Sequence, residues 1–257
     1  MPRYSERITL TQSKRGVWGL DPFKGCDYGM ANNENGCYGV CYAARIAKSK
    51  GFDFSGLVYR KFDGYWHKRE ILKEIKRLIF IRLGIMCDPS SDWGHTIDII
   101  NEIRPYQDKI VIITKHWTAL TDNQKAYLGG IVVNTSISAL DSDDLIEYRL
   151  AQYQDLKKYC SSILRVNSCD FIDAKLKARQ DALLNNEDVI NNVLRLNKSH
   201  HLVTGGKVNI YKADFLGSNS YPSLNNDVYF GDCYRCPDKC GIKEVNTKYE
   251  QFSLTFN

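Results

Sequence analysis

Apolar residues recur along this chain with two alternating periods. From Tyr65 to Leu78, Ile71, Ile75 and Leu78 fall at i, i+4 and i+7, which predicts a helix. Ile79 to Cys87 follows as a strand running into Asp88-Pro89-Ser90-Ser91-Asp92. Similar units come after it. A helix over Thr96 to Ile103 precedes a strand over Lys109 to Thr114, which ends in Lys115-His116-Trp117. A helix over Asp122 to Leu128 leads to a strand over Ile131 to Ile137, continuing as Ser138-Ala139-Leu140-Asp141. The helix Asp143 to Tyr159 leads to the strand Ser162 to Asn167, then helical residues Ala174 to Asn197 in one or two pieces. A strand over His201 to Thr204 closes on Gly205-Gly206. Upstream, Ile8 to Thr11 reads as a short strand and Val17 to Gly36 as a Gly- and Asn-rich loop. Cys41 to Lys50 reads as a helix stopped by Gly51.

Strands alternating with helices of this length imply parallel strands joined by crossovers. Polar residues gather at the C-terminal ends of the strands, where such folds keep their sites. Counting the first strand gives six, short of an eight-stranded barrel. The expected fold is therefore α/β, a partial (βα)6 barrel over residues 1–206, with an open doubly wound sheet as the alternative. Residues 207–257 lose the repeat and read as a C-terminal cap.

The chain has 257 residues, 43% hydrophobic and 25% charged, which excludes disorder, collagen-like repeats and coiled coil. Its net charge of +5 permits a nucleic-acid partner without arguing for one. The polar start shows no secretory leader, and no apolar run approaches the ~20 residues of a membrane span. A cytoplasmic, reducing location without membrane contact is expected. There, nine cysteines point to metal or redox chemistry rather than a disulfide framework. Six of them form two triads: Cys26, Cys37 and Cys41 on the Gly-rich loop, and Cys233, Cys236 and Cys240 in the cap. Three thiols fall one short of a closed zinc site or a fully ligated [4Fe–4S] cluster, so each triad borrows a ligand or leaves a position open. Cluster, zinc and free thiols are the readings for the first triad, and iron–sulfur or zinc for the second.

With Gly25-Cys26, Gly36-Cys37 and Cys41-Tyr42-Ala43 on the loop before the repeat, the sequence resembles the radical-SAM superfamily. Met86-Cys87-Asp88-Pro89, Ile112-Ile113-Thr114-Lys115, Val133-Asn134-Thr135-Ser136-Ile137-Ser138 and Leu202-Val203-Thr204-Gly205-Gly206 follow in order. That series is similar to the spore-photoproduct-lyase-like branch and its short phage-borne relatives, over roughly Gly19 to Gly206. The resemblance implies an oxygen-sensitive enzyme whose [4Fe–4S] cluster, on Cys26, Cys37 and Cys41, cleaves S-adenosylmethionine reductively to a 5′-deoxyadenosyl radical. It also implies an electron donor such as flavodoxin or ferredoxin, and leans towards a nucleic acid or nucleotide as substrate. The spacing of ten and then three residues departs from the commonest family pattern of three and two.

Side-chain alternation places Asn134, Ser136 and Ser138 on one face of their strand, and Arg165, Asn167 and Cys169 on one face of the next. The resemblance gives Lys115 and Ser136 to the methionyl carboxylate and Ser90, Ser91 and Asp92 to the amine, although the family's Gly-Gly-Glu is absent. Gly205 and Gly206 would admit the adenine. Cys87 and Cys169 are candidate hydrogen-donating thiols, with plain packing as the competing reading. The rival function is a zinc-stabilised nucleic-acid-binding protein without catalysis. Its basic and aromatic residues would include Tyr234, Arg235, Lys239 and Lys243.

Overall fold

The structure, a computed structural model, describes residues 5–13, 16–31, 33–194, 196, 198–209 and 239–242. The N-terminal part holds β1 (Ser5–Arg7), β2 (Leu10–Gln12), β3 (Trp18–Leu20), β4 (Phe23–Lys24), α1 (Asp27–Met30), α2 (Tyr42–Ser49), β5 (Val58–Lys61) and α3 (Gly64–Ile75). The repeat continues with β6 (Ile81–Leu83), α4 (Trp93–Ile103), β7 (Ile110–Thr114), α5 (Asp122–Tyr127), β8 (Val132–Ile137), α6 (Asp143–Leu156) and β9 (Ser161–Ser168). Then come β10 (Asp170–Phe171), α7 (Ala174–Leu184), β11 (Val189–Val193), α8 (His201–Thr204) and β12 (Val208–Asn209).

The main sheet has seven strands in the order β11-β9-β8-β7-β6-β3-β2. All neighbours are parallel except β2 and β3, which pair antiparallel at the edge. Spatial order follows chain order from β3 to β11, unlike a doubly wound sheet, in which it reverses. One face packs against the helices. Leu72 and Ile75 of α3, Ile100 and Ile103 of α4 and Leu156 of α6 meet Ile81, Ile110, Ile112 and Val133 there. Tyr153 and Leu183 cover Ile137, Leu164 and Val166 on the same side. On the other face Val111, Val132 and Ile163 form a second apolar layer with Val17, Phe80 and Ile242. Farther along the strands this face carries Asn134, Ser136, Arg165 and Asn167, as alternation predicted. Among the described residues β11 and β2 do not pair with each other, so the sheet is not closed.

Three expectations are corrected. The segment His201 to Thr204 is a short helix, not a strand: His200 caps it by accepting from Leu202 N, and Gly205 follows it. The sixth parallel strand is instead Val189–Val193, inside the stretch expected to be helical. There α7 stops at Asn185, and Asp188 takes a left-handed φ of 49° that turns the chain into the sheet. The first parallel strand is Trp18–Leu20, inside the expected loop, while Leu10–Gln12 is the antiparallel edge.

Of the expected C-terminal cap, residues 239–242 are described, and Ile242 packs into the inner face. Ile242 is fully buried between Val132 and Ile163, near the N-terminal ends of the strands. Gly241 sits so close that a Cβ would lie 2.9 Å from Ile163 Cγ1 and 3.0 Å from Val132 Cγ1. Ile242→Ala should lower stability by about 2–5 kcal/mol, the range for truncating a buried aliphatic side chain. Urea denaturation of the metal-free protein measures it, and an unchanged midpoint would contradict this packing.

Candidate metal and cofactor site

The first cysteine triad lies on the connection between β3 and β6, just beyond the C-terminal end of β3. A small sheet in the order β1-β5-β4 holds its base, and Cys26 N donates to Phe54 O at 2.8 Å. Cys26 precedes α1 and Cys41 precedes α2, each at the N-cap position. Gly29 leaves the space that the first two thiols share: a Cβ there would lie 2.7 Å from Cys26 Sγ and 3.5 Å from Cys37 Sγ. Gly36, at φ 72°, turns the chain so tightly that a Cβ would meet Cys41 Cβ at 2.4 Å. These glycines clear a cradle that any larger residue would fill. Among the described residues no group of three or more His, Cys, Asp or Glu is placed to hold a metal ion. Cys26 and Cys37 share the space at Gly29 and Cys41 lies beside Gly36, so the three do not form a preformed single-ion site. Cys233 and Cys236 lie outside the described residues.

Burial dominates the electrostatics. It pushes the Cys26 thiol up, helped by Asp88 and the neighbouring thiols. It pushes Cys37 up as well, opposed by the Lys115 ammonium and, more weakly, by Arg149. A metal here must therefore displace protons, which ties its binding to pH.

Beside Cys37 runs a closed circuit of four side chains. Lys115 Nζ donates to the Tyr38 hydroxyl and lies 4.0 Å above the Tyr38 ring. Tyr38 donates to Asp141 at 2.9 Å, Asp141 pairs with Arg149 at 2.6 Å, and Arg149 Nε donates back to Lys115 O at 2.9 Å. Arg149 is 0% exposed, and its guanidinium stands 4.8 Å from the Trp117 ring, which in turn stacks near-parallel with Tyr28 at 6.2 Å. Tyr38 itself has a left-handed φ of 58°. Burial pushes the Asp141 carboxyl up, but Lys115, Arg149 and Tyr38 outweigh it and hold it below the usual carboxylate range.

Other expected site residues are divided by this geometry. Lys115 and Ser136 do stand at adjacent strand ends, one step beyond the Thr114–Thr135 pair. Ser90 is committed on both sides, donating to Asp88 at 2.8 Å and accepting from Trp117 N at 2.9 Å. Asp92 caps α4 through His95 N and also accepts from Tyr59. Only Ser91 reaches the cysteine loop, at 3.4 Å from Asp27 Oδ1. Ser138 donates to Asn167 O, while Arg165 and Asn167 both bond Asn192 of β11. Asn134 Nδ2 donates to Cys240 O at 3.0 Å, and its buried Oδ1 has no hydrogen-bond partner among the described residues. Cys87 Sγ lies 3.6 Å from the buried Asp21, which also receives Ile85 N and Met86 N. Cys169 is enclosed by Ala139, Phe171, Leu196, Leu202 and Val208, a packing environment. Gly205 and Gly206 lie on an exposed turn after α8, not at a strand end.

Sequence reasoning missed Tyr38, Asp141, Arg149, Asp21 and the capping role of Asp88. One signal was present: Arg149 interrupts the buried stripe of α6 that continues through Tyr153 and Leu156. No family model matches the chain, and neither a curated protein nor a solved structure matches it.

Arg149→Met leaves Asp141 buried without its partner and should cost about 3–5 kcal/mol in urea denaturation. Because the folded Asp141 carboxyl lies below its unfolded value of about 4, its contribution is complete above that pH. It should be lost as pH falls through the depressed folded value. Asp141→Asn should flatten this acid limb of the stability profile, and a profile identical to the parent's would remove Asp141 from it.

Proposed function

We propose that the chain is a radical-SAM enzyme built on a partial barrel, with Cys26, Cys37 and Cys41 as ligands of a [4Fe–4S] cluster. The observation that carries the reading is the glycine-cleared space beside Gly29 that Cys26 and Cys37 share, with Cys41 next to Gly36 on the same loop. It lies at the C-terminal ends of parallel strands set in chain order, all with their helices on one face. A cluster bound there supplies the electron that cleaves S-adenosylmethionine into methionine and a 5′-deoxyadenosyl radical.

The chain's own residues do the positioning. The circuit through Tyr38 fixes the loop segment between Cys37 and Cys41 against the ends of β7 and β8. Lys115 spends one of its three donors on Tyr38 and keeps the others for a carboxylate, with the Ser136 hydroxyl on the next strand. Asp88 holds this end of β7 in place, accepting Thr114 Oγ1 at 2.7 Å and Lys115 N at 2.9 Å. Asn134, Arg165 and Asn167 make the inner face polar below that point. Tyr28 and Trp117 flank the mouth with near-parallel rings, which suits a flat substrate such as a nucleobase in a nucleic acid or nucleotide. In this reading Cys233, Cys236 and Cys240 hold a second iron–sulfur or zinc centre, and Cys240 reaches the inner face beside Asn134.

Protein reconstituted without oxygen should be brown, bleach on reduction and release 5′-deoxyadenosine from S-adenosylmethionine; Cys37→Ala should abolish all three. A colourless protein holding stoichiometric zinc on these cysteines would sink the proposal. Lys115→Ala should weaken S-adenosylmethionine binding by about 1.5–3 kcal/mol, the scale of a charged hydrogen bond, with iron content retained. Equal affinity in a titration calorimeter would return Lys115 to a purely structural part in the circuit.

A further inference from the structure

Tyr38 holds a left-handed φ of 58° in the middle of the cysteine loop, a conformation that a tyrosine keeps only where its surroundings impose it. The circuit through Lys115 and Asp141 holds its hydroxyl. Its backbone has a tie of its own: the Tyr38 carbonyl oxygen lies 3.1 Å from His200 Nε2. His200 is buried at the N-cap of α8, where its Nδ1 accepts from Leu202 N at 3.2 Å. The two bonds together dictate the state of the ring. With Nδ1 accepting, Nε2 must carry the proton donated to Tyr38 O, so the imidazole is neutral.

Packing follows the same line. Gly39 presses against the two histidines, where a Cβ would lie 3.1 Å from His201 Cε1 and 3.3 Å from His200 Nε2. Val40 packs against the apolar cluster of Leu202, Cys169 and Phe171. Tyr38, Gly39 and Val40, the residues between Cys37 and Cys41, therefore all rest on α8 or the residue that caps it. We infer that His200 is a positioning residue for the cysteine loop, clamping the Tyr38 carbonyl and so fixing the segment from Cys37 to Cys41. As a part of the catalytic machinery it rests on the function proposed above; the clamp itself needs no metal.

The clamp has a definite pH sense. A second proton would go to Nδ1, which would then face Leu202 N–H instead of accepting from it, and the α8 cap would be lost. Burial and the His201 ring, centred 4.3 Å away, push the His200 value down against the opposing Tyr38 and Gly39 backbone. On the loop side the titratable neighbour is Tyr38, whose phenol burial keeps neutral. The clamp is thus whole above the unfolded histidine value of about 6.5 and is lost as pH falls through the depressed folded value.

Two substitutions separate the bonds of the ring, because an Asn amide reproduces the place of Nδ1 and a Gln amide that of Nε2. His200→Asn still caps α8 but falls short of Tyr38 O, whereas His200→Gln reaches Tyr38 O and caps poorly. Iodoacetamide labelling of Cys37 is followed by peptide mass spectrometry in the full-length, reduced, metal-free chain, far below each variant's urea midpoint. Cys26, anchored separately through Phe54 O, is the internal reference. Cys37 should react about three- to tenfold faster in His200→Asn, the scale of one lost neutral hydrogen bond, and near the parental rate in His200→Gln. The excess of His200→Asn over the parent should shrink as pH is lowered through the folded His200 value, which a merely space-filling residue would not produce. Equal Cys37 rates in the parent and His200→Asn at neutral pH would overturn the clamp. An excess that ignores pH, or a His200→Gln chain as reactive as His200→Asn, would overturn it as well. Reconstituted with iron, His200→Asn should lose it to a chelator faster than the parent. A parent that takes up no iron would instead sink the enzymatic reading, and the labelling rates would still decide the clamp.

Discussion

The circuit of Lys115, Tyr38, Asp141 and Arg149 is the interaction on which the rest of the site depends. A loop of this length has no regular hydrogen-bond ladder to hold it, and its thiols are useful only in a fixed place. Tyr38 solves this by reaching from the middle of the loop to a carboxylate 103 positions away in sequence. The carboxylate is itself pinned by a buried guanidinium. Removing a charge from such a group leaves its partner stranded in a poorly solvating interior, so the four residues stand or fall together. The strain of a left-handed tyrosine is small beside that coupling.

The same interior raises a tension. Burial disfavours thiolates at Cys26 and Cys37, yet thiolates are what a metal takes. Lys115 and Arg149 ease that conflict from one side of Cys37 and Asp88 worsens it from the other. Asp88 has little freedom to leave, because Ser90, Thr114 and the Lys115 amide all bond to it. The burial of the loop therefore favours protonated thiols at Cys26 and Cys37.

Much of the sheet was legible from the sequence. Ile110–Thr114, Val132–Ile137 and Ser161–Ser168 fell within a residue or so of the expected strands because apolar β-branched runs end in polar clusters. The failures have local causes. Trp18–Leu20 is too short for a pattern, and at its centre Gly19 lies against the Ile85 side chain, whose Cδ1 a Cβ would approach to 1.8 Å. Asn191 and Asn192 break up the apolar pattern of β11, which therefore reads as a continuation of the helical stretch, yet both amides bond residues of β9. Leu202-Val203 imitates a strand until the His200 cap is seen. The thiol loop was recognisable from its cysteines, whereas the circuit that fixes it links four distant positions that no local pattern connects.

Ile242 gives the architecture an order of assembly. The inner layer formed by Val111, Val132 and Ile163 is completed by a residue that follows every strand of the sheet in the chain. Until that segment arrives, an emerging polypeptide can pair its strands and dock its helices but keeps a wet apolar trough on the other side. The cysteine loop, near the opposite ends of the strands, is made long before. The thiols are thus in place while the sheet beneath them still lacks part of its inner apolar layer. Chains cut short by a premature stop would carry the cysteine loop on a scaffold lacking the internal wedge of Ile242.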